Sequence, residues 1–511
     1  MNRTLLLGLV GLAGAGVLAL EIVGTRVLAP AFGSGLIVWS VQITVTLAAL
    51  AIGYLLGGRM ADGDASNSKL GTVLIGAGVW VVLIPLMRAP LLTMSSAWGL
   101  RWAVCCVASV LFFPALMLLG TVGPLAIRLT TRELDEVGRT AGQVFAVSTL
   151  ASVIAALVTG FVLIPNVGVT RLLIAIGLSL LAGGALAQLA LGGARGARTA
   201  ALVLAVGALA AVGVMRGLPA PPDGLRFVGD SPYAQVKVLD HNDERMLLID
   251  GTVQTVIDRE HGFPRQPYVV VAELATEAFE RGGRMLQLGL GGGSAVRAFA
   301  RDGWEVDAVE IDPTVSRVAA EYFRLQPEHA RVTIDDGRHY LKTTRERYGI
   351  ILFDAYGAGH IPSHLISREA FGEAKSCLTP GGFVVLNLEV VGWDDPLVSA
   401  VAATLRTQFQ HVIALPTSEP PNQVGNVVLM ASDRVLEVSE AALGDPVGTL
   451  TDDDEHWRVL SRRHAWENQF EPAHGRVLTD DWNPADLRAA EISLAVRRFE
   501  RTLLPARFVG W

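Results

Sequence analysis

The 511-residue sequence predicts three parts in order: a bundle of membrane-spanning helices, a small β-domain, and an α/β domain with a parallel, doubly wound sheet. Two observations carry this prediction. Apolar residues make up 51% of the chain and are concentrated in its first 220 residues. Beyond residue 284, short apolar runs alternate with segments of helical length, which is the pattern of a parallel sheet covered by helices.

Charge separates the two halves of the chain. Through Pro222 the sequence has 13 Lys and Arg against 6 Asp and Glu, whereas the remainder has 29 against 43. A basic, apolar half joined to an acidic half is typical of a membrane domain followed by a soluble one. The acidic half argues against nucleic acid as a partner, because phosphate binding requires clustered Lys and Arg. Its negative potential suits a cationic substrate such as a polyamine, although many soluble domains are acidic.

Seven segments are long and apolar enough to cross a bilayer as helices, for which about 20 residues are needed. They cover about 4–29, 36–58, 70–88, 101–127, 141–165, 170–192 and 199–217. The first is too long for a cleaved signal peptide, lacks a basic cluster before it, and contains Glu21 and Arg26. Glu21 has two interpretations: a transport or proton site, or an ion pair near the membrane surface, and the ion pair is favoured.

A Pro- and Gly-rich segment, GLPAPPDG at 217–224, separates the halves. The predicted domains are therefore 1–220 (transmembrane), 223–270 (small β-domain) and 271–511 (α/β domain). Residues 231–258 alternate polar and apolar side chains around a polar turn, which predicts a β-hairpin region. The strand candidates of the third part are MLQLGL, EVDAVEI, RVTID, GIILFDA and GGFVVLNL, between residues 285 and 388.

The first two strand ends of the α/β domain predict part of a nucleotide site, since ligands of doubly wound sheets lie at the carboxyl ends of the strands. Gly289, Gly291 and Gly293 follow the first strand, and glycine there allows a sharp turn and close approach to a ligand. Glu310 ends the second strand, the usual place for a carboxylate that accepts both ribose hydroxyls. A glycine motif alone also fits dinucleotide enzymes, so it does not decide the ligand.

The next two strand ends are acidic. Asp335 and Asp336 follow the third strand, where they can meet an adenine edge, and Asp354 ends the fourth. Glycine-rich or acidic strand ends in this order indicate an enzyme that uses a sulfonium nucleoside. The alternative is a Rossmann-like domain whose acidic loop tips are merely solvated.

Particular motifs relate this domain to a known family. They are LIDGTVQ (248–254), Tyr268, the glycine loop, VEIDP (309–313), DDGR (335–338) and ILFDAYG (351–357). With them, the sequence from Ser231 to Leu388 resembles spermidine synthase, the polyamine aminopropyltransferase family. Through ALEIVGTRVLAPAFGSGLIVWS (19–40) and VLTDDWNP (477–484), the whole chain resembles membrane-fused spermidine synthase-like proteins. The resemblance implies a small β-domain before a seven-stranded Rossmann-like domain of the S-adenosylmethionine-dependent transferase type.

The resemblance also implies a reaction. An aminopropyl group would move from decarboxylated S-adenosylmethionine to an amine, with release of methylthioadenosine. The attacking amine must be neutral, so a carboxylate orients it and takes its proton. Asp354 corresponds to the family's proton acceptor.

The same resemblance assigns the residues that would bind the nucleoside. Glu310 corresponds to the ribose-binding glutamate, and Asp336 with Gly337 to the adenine-binding pair. Gln254 and Gln235 correspond to glutamines of the β-domain, and we expect them at the same site.

The sequence departs from the family on the side that holds the amine. Gly292 stands where the family has an aspartate in the glycine loop, and Gly357 stands where it has a second aspartate after Asp354. YVV (268–270) replaces Tyr-His-Glu, and YAQ (233–235) replaces Tyr-Gln. Putrescine is therefore doubtful as the acceptor, and the loss of the loop aspartate removes a group that would repel the carboxylate of intact S-adenosylmethionine.

Other residues are candidates for holding the amine: Tyr268, Tyr356 on the loop after Asp354, and Asp480 and Asp481 if the C-terminal segment folds back over the site. No metal is expected. The pair His360 and His364 lacks a third ligand, and the three cysteines have no metal or disulfide spacing.

Three functions stay open: aminopropyl transfer to an unusual amine, methyl transfer from intact S-adenosylmethionine, and sensing or transport without turnover. The expected partners are a small amine and the lipid bilayer, and a homodimer is one assembly open to the chain. Lys and Arg are enriched at the N-terminus and after spans two, four and six, which predicts that these face the cytoplasm. Seven crossings would then put the α/β domain outside, whereas a cytosolic nucleoside requires it inside. We adopt the cytoplasm for this domain of a multi-pass cell-membrane protein.

Overall fold

The computed structural model describes residues 2–63, 65–95, 98–131, 133–190, 193–217, 222–357, 361–417, 421–445 and 453–504. The chain divides into two compact units, one within residues 1–221 and the other within residues 222–509. They are termed the helical unit and the α/β unit.

The helical unit is built of long apolar helices. Its helices are α1 (Arg3–Phe32), α2 (Leu36–Asp62), α3 (Asn67–Met94), α4 (Leu100–Gly120), α5 (Val122–Thr130), α6 (Val137–Val158), α7 (Ile164–Val167), α8 (Val169–Leu189) and α9 (Gly193–Gly217). A π-helical segment, Thr159–Leu163, joins α6 to α7. In the part of the chain that the structure describes, seven helices are long and apolar enough to cross a membrane, with α4–α5 and α6–α7 each forming one of them. The prediction of seven long apolar helices is confirmed.

Glycines allow the helices of this unit to pack closely. A Cβ atom at Gly53 of α2 would lie 2.3 Å from the carbonyl oxygen of Met117 in α4. A Cβ atom at Gly78 of α3 would lie 2.7 Å from the carbonyl oxygen of Gly177 in α8. Backbones that approach this closely are typical of helix contacts in lipid, where packing replaces the hydrophobic effect as the driving force.

The α/β unit begins with a four-stranded antiparallel sheet in the order β1 (Leu225–Asp230), β2 (Gln235–His241), β3 (Glu244–Ile249) and β4 (Thr252–Asp258). The predicted hairpin region, residues 231–258, thus supplies three of the four strands, β2 to β4. Its turn places Asn242 at φ 54°, a left-handed conformation that asparagine tolerates in tight hairpins. This sheet packs against a helix of the seven-stranded part that follows it in the chain. The buried residues on its side of the contact include Val236, Val238 and Leu247.

The elements of the larger part follow in chain order. They are α10 (Pro267–Ala272), β5 (Arg284–Leu288), α11 (Ser294–Arg301), β6 (Glu305–Glu310), α12 (Pro313–Tyr322), β7 (Arg331–Ile334), α13 (Gly337–Thr343), β8 (Tyr348–Phe353), α14 (Arg368–Ser376), β9 (Leu378–Val391), α15 (Pro396–Leu405), β10 (His411–Pro416), β11 (Val424–Ser432), α16 (Glu440–Leu443), α17 (Asp453–Glu467) and α18 (Ala485–Leu503). The strand order is β10-β11-β9-β8-β5-β6-β7. The seven-stranded Rossmann-like domain implied by the resemblance is confirmed.

The expectation of a parallel sheet is confirmed for the five predicted strands, and the sheet gains two further strands that the sequence did not predict. β5 to β9 pair in parallel, but β11 pairs antiparallel with both β9 and β10. The connection from β10 to β11 is too short to cross over the sheet, so the chain can only turn back on itself.

The strand order fixes where a ligand can lie. From β5 the chain proceeds to β6 and β7 on one side, then returns to β8 and β9 on the other. The carboxyl ends of β5 and β8 therefore flank the point at which the strand order reverses. This is the usual ligand position in open α/β sheets.

Candidate active site

The glycine turn after β5 packs closely against the backbone at the end of β8. Gly289, Gly291 and Gly293 have φ values of 88°, 52° and 73°, which favour glycine. A Cβ atom at Gly289 would lie 2.4 Å from the carbonyl oxygen of Asp354, so no larger residue fits there. The turn ends as α11 begins, and it exposes backbone groups to the space above the sheet.

Glu310 is held at the end of β6 by backbone donors. Its side chain accepts hydrogen bonds from the N–H groups of Leu290 (3.0 Å) and Asp312 (2.9 Å), one on each carboxylate oxygen. The residue is 8% exposed, and burial raises the pKa of its carboxyl. Each oxygen keeps a further lone pair, so the carboxylate can accept two hydroxyl groups of a ligand.

Asp354 is the carboxylate at the end of β8. It accepts hydrogen bonds from the Tyr268 hydroxyl (2.9 Å) and from Nδ2 of Asn387 (3.0 Å). Asn387 is itself oriented by Asn426, whose Nδ2 donates to Asn387 Oδ1 at 2.9 Å. Burial raises the pKa of Asp354 to about 6, although both hydrogen bonds act to lower it. A carboxylate fixed in this way can take a proton from a ligand near neutral pH.

Glu389 is a second half-buried carboxyl that lines the same pocket as Asp354, and we did not expect it from the sequence. Its backbone N–H donates to the Tyr356 hydroxyl (2.7 Å), which in turn donates to the carbonyl oxygen of Asn387 (2.8 Å). Burial raises the pKa of Glu389 to about 8, and the nearby charge of Glu500 adds to the effect. The available signal was the pair Asn387 and Glu389, two polar residues at alternate positions of an otherwise apolar strand.

Helix α18 brings two more charges close to Glu389. Glu500 accepts a hydrogen bond from the N–H of Val253 (2.8 Å), and Arg497 donates to the carbonyl oxygen of Asp250 (2.5 Å). Burial raises the pKa of Glu500 to about 7. These contacts attach α18 to the β3–β4 turn, near Glu389.

One pocket joins these groups. Of the residues predicted from the sequence, it is lined by Gln254, Tyr268, Gly289, Gly291, Glu310, Asp354 and Tyr356. Its polar lining also includes residues that sequence reasoning missed, namely Gln266, Gln287, Ser294, Asn387, Glu389 and Asn426. The pocket holds about 700 Å³, counting the part open to solvent.

The predicted adenine pair lies beside this pocket and does not line it. Asp336 caps α13, and one of its oxygens accepts the N–H groups of Arg338 (3.0 Å) and His339 (2.9 Å). Its other oxygen lies 3.0 Å from Nε2 of His364. Burial acts to raise the pKa of Asp336, but these partners outweigh it and the pKa is lowered. Gly337 is the first residue of α13.

The structure places three further predicted residues away from the pocket. Gln235 donates to Asp230 at 3.2 Å and contributes its backbone to the first sheet. Asp480 is paired with Arg338, whose Nη2 lies 2.7 Å from it, and it also accepts from Ser367. Asp481 is exposed. These two candidates for holding the amine therefore do not line the pocket, and Arg338 of α13 holds the segment through Asp480. Gly293, the residue just before α11, does not line the pocket either.

The departures from the family differ in how the structure treats them. A Cβ atom at Gly292 would lie 2.8 Å from both the Phe323 ring and the Thr255 methyl group, so an aspartate does not fit there. A Cβ atom at Gly357 would meet nothing within 4 Å. Val269 and Val270 are fully buried.

Metal ligands are not clustered in the part of the chain that the structure describes, where no group of three His, Cys, Asp or Glu side chains could hold an ion. His360 of the weighed histidine pair lies outside the described residues.

Comparison with known proteins adds to this geometry. Residues 236–434 match the family described as "Spermine/spermidine synthase domain". The chain is 31% identical over 279 residues to a polyamine aminopropyltransferase of Vibrio vulnificus. This alignment covers 50% of this chain and 89% of that protein. The chain is also 34% identical over 141 residues to the human eEF1A lysine and N-terminal methyltransferase, covering 24% of this chain and 20% of that protein. A crystal structure of spermidine synthase from Thermotoga maritima aligns with a TM-score of 0.38 and 16% identity, over 46% of this chain and 83% of that one.

The match to the Vibrio protein covers nearly all of that relative, and the family match at residues 236–434 lies in the unit that contains the pocket. The chain therefore belongs to the polyamine aminopropyltransferase family, and it is a transferase.

Proposed function

We propose that this protein is a membrane-bound aminopropyltransferase that moves an aminopropyl group from decarboxylated S-adenosylmethionine to an amine and releases methylthioadenosine. The observation that carries the proposal is Asp354, a half-buried carboxylate with a pKa of about 6, held by Tyr268 and Asn387 in the pocket beside the glycine turn. In this proposal the pocket takes the donor nucleoside at one end and the amine at the other.

At the nucleoside end, Glu310 would accept the two ribose hydroxyls on its remaining lone pairs. Its backbone bonds to Leu290 and Asp312 fix the carboxylate before any ligand arrives. The glycine turn would let the nucleoside pass close to the backbone at the end of β5. Gln254, which lines the same pocket, would contact the nucleoside from β4.

At the acceptor end, Asp354 would orient the amine and take its proton as the bond forms. The neutral nitrogen attacks the methylene carbon bonded to the sulfonium sulfur, the carbon–sulfur bond breaks, and its electron pair stays on sulfur as the thioether of methylthioadenosine. The proton leaves with Asp354. A base with a pKa of about 6 is ionised at pH 7 and above, which suits this role.

Glu389 gives the acceptor its second contact in this proposal. A cationic group of the amine, remote from the attacking nitrogen, would bind to Glu389 and favour its ionised form. The pocket lacks the family's two further aspartates, so one carboxylate and the amides of Asn387 and Asn426 would do the work of recognition. We therefore expect an acceptor that differs from putrescine.

The experiment that tests this function uses the full-length protein in detergent. It is incubated with decarboxylated S-adenosylmethionine and a panel of amines, and the nucleoside product is identified by mass spectrometry. We expect amine-dependent methylthioadenosine, reduced about 1,000-fold or more in Asp354→Asn. Binding of methylthioadenosine to the variant should stay within about threefold of wild type, because Asp354 acts on the amine. Turnover that survives in Asp354→Asn would contradict the role of this residue.

Methyl transfer is the second candidate function, and the match to the human methyltransferase favours it. The same assay with intact S-adenosylmethionine separates the two. Adenosylhomocysteine as the product would establish methyl transfer, and methylthioadenosine would exclude it as the main reaction.

We also propose that the helical unit anchors the protein in the cell membrane as a multi-pass domain, with the α/β unit in the cytoplasm. The length and apolarity of the seven helices support the first part. Protease added to intact cells should leave the α/β unit uncut, and should cut it once the membrane is permeabilised. Cleavage in intact cells would place the unit outside.

A further inference from the structure

The wall of the pocket at the glycine turn contains two buried polar atoms that no other group satisfies. Gln287 on β5 is 1% exposed and Ser294 at the start of α11 is 5% exposed. Within the described residues, Gln287 Oε1 and Ser294 Oγ have no hydrogen-bond partner. Both residues line the pocket. Buried polar groups are nearly always paired, so two such atoms on one wall point to a ligand.

The N-terminus of α11 lies on the same wall. The helix spans eight residues, and its first turn is closed by the N–H of Arg297, which donates to the carbonyl oxygen of Gly293 at 3.0 Å. The N–H groups before Arg297 have no acceptor within the helix, because the first turn of any helix lacks them. Ser294 and Ala295, which carry two of these groups, line the pocket. Such a terminus favours an anion.

The wall carries no acidic side chain at the turn itself. Packing against Phe323 and Thr255 excludes an aspartate at position 292, and the N–H of Gly292 is already bound to Thr255 Oγ1 at 2.9 Å. A negative charge there would repel a carboxylate and would attract a lone ammonium. Without that charge, the pocket lining here contains a neutral acceptor, a hydroxyl and helix N–H donors.

We propose that this wall binds the amino-acid end of intact S-adenosylmethionine, so that the enzyme accepts this nucleoside as a donor as well as its decarboxylated form. Gln287 Oε1 accepts a hydrogen bond from the α-ammonium group. The Ser294 hydroxyl and the N–H groups of α11 donate to the α-carboxylate. The inference rests on the nucleoside site of the proposed function and adds a substrate to it.

The chemistry changes only in the group that moves. The amine nitrogen attacks the methylene carbon next to sulfur, the carbon–sulfur bond breaks with its electron pair on sulfur, and Asp354 takes the proton of the amine. The transferred group is then 3-amino-3-carboxypropyl, and the nucleoside product is still methylthioadenosine. The acceptor gains a carboxylate that aminopropyl transfer would not give it.

The test measures binding of three unreactive nucleosides to the full-length protein in detergent by calorimetry. Methylthioadenosine lacks the three-carbon chain, S-adenosylhomocysteine has the chain with its carboxylate, and decarboxylated S-adenosylhomocysteine has the chain without it. We expect S-adenosylhomocysteine to bind at least as tightly as its decarboxylated form. If it binds more than about tenfold more weakly while methylthioadenosine still binds, the inference is overturned and the proposed function stands. If methylthioadenosine does not bind, the nucleoside site fails, and the proposed function fails with it.

Three substitutions assign the effect to the wall. Ser294→Ala and Gln287→Leu should each weaken S-adenosylhomocysteine about 10- to 100-fold and leave methylthioadenosine within about twofold, a size typical of one hydrogen bond to a charged group. Ser294→Asp should reverse the preference towards the decarboxylated nucleoside, since it restores a negative charge at a helix start that tolerates one. Ser376→Ala, on the exposed end of α14, is the matched control and should change none of the three affinities. Equal losses for all three nucleosides in the wall variants would overturn the assignment.

Discussion

The two ends of the pocket are built in different ways. At the nucleoside end, a glycine turn and backbone N–H groups do most of the positioning, and Glu310 is fixed by two of them. At the acceptor end, side chains from α10, β8, β9 and β11 hold one another, and α18 adds Arg497 and Glu500 from behind. Changing a side-chain network requires only substitutions, whereas changing a backbone turn requires refolding it. The positioning of a ligand at the nucleoside end therefore depends little on side chains, whereas single substitutions can change recognition at the acceptor end.

The largest effect is expected where the nucleoside end is broken. Glu310→Gln puts an amide N–H against a backbone N–H and removes charged hydrogen bonds to the ribose, each worth about 1.5–3 kcal/mol. We expect affinity for methylthioadenosine to fall roughly 100-fold, measured by calorimetry. Glu305→Gln, exposed at the start of the same strand, is the matched control. An unchanged affinity in Glu310→Gln would show that this carboxylate does not bind the ribose.

A smaller and separate effect is expected at the acceptor end. Glu389→Gln should raise KM for the amine about 10-fold and leave nucleoside affinity within about twofold, because only the remote cation loses its partner. In the wild type, KM for the amine should fall as pH rises through about 8, since Glu389 ionises there. The variant should lose this dependence.

Initial rates between pH 6.5 and 9.5 check both expectations, with Glu437→Gln on the surface as the control. A parallel loss of nucleoside affinity in Glu389→Gln would show that the two ends are not independent.

The hydrogen bond from Tyr268 predicts a shift in the pH profile. It stabilises the ionised form of Asp354, so its loss in Tyr268→Phe should raise the pKa of that carboxyl above its value of about 6. The acid limb of kcat/KM should move up by about one unit, equivalent to roughly 1.4 kcal/mol. Rates at high pH, where Asp354 is ionised in both proteins, should differ much less. A limb that stays in place would mean that another group controls it.

The smallest effect is expected from restoring a lost carboxylate. Position 357 is open, so Gly357→Asp should fold normally and lower KM for diamines about threefold, the size of an exposed charge interaction. Gly357→Asn has a similar shape and no charge, and it should have no effect. Because exposed charges are screened, the gain should disappear at about 1 M salt. A gain that persists there would indicate a buried contact.

Much of the fold could be predicted from the sequence, because each signal was local. Apolar length predicted the seven helices, and glycines or acids at strand ends predicted the β5, β6 and β8 contributions to the pocket. Two antiparallel strands were missed because pairing direction depends on connections and not on composition. The interaction between Glu389 and Glu500 was missed because the two residues are more than 100 positions apart in the sequence. Asp480 was misplaced because its partner, Arg338, is equally distant in sequence.

The two glycines that replace family aspartates differ in how easily an aspartate could be substituted for them. An acid at position 357 can return by a change at that position alone, since no described residue lies within 4 Å of a Cβ atom there. At position 292 the same change collides with Phe323 and Thr255, so smaller residues would have to appear there first. Acceptor preference can therefore change by single substitutions at position 357. The neutral wall at the glycine turn can change only after Phe323 or Thr255 has been replaced by a smaller residue.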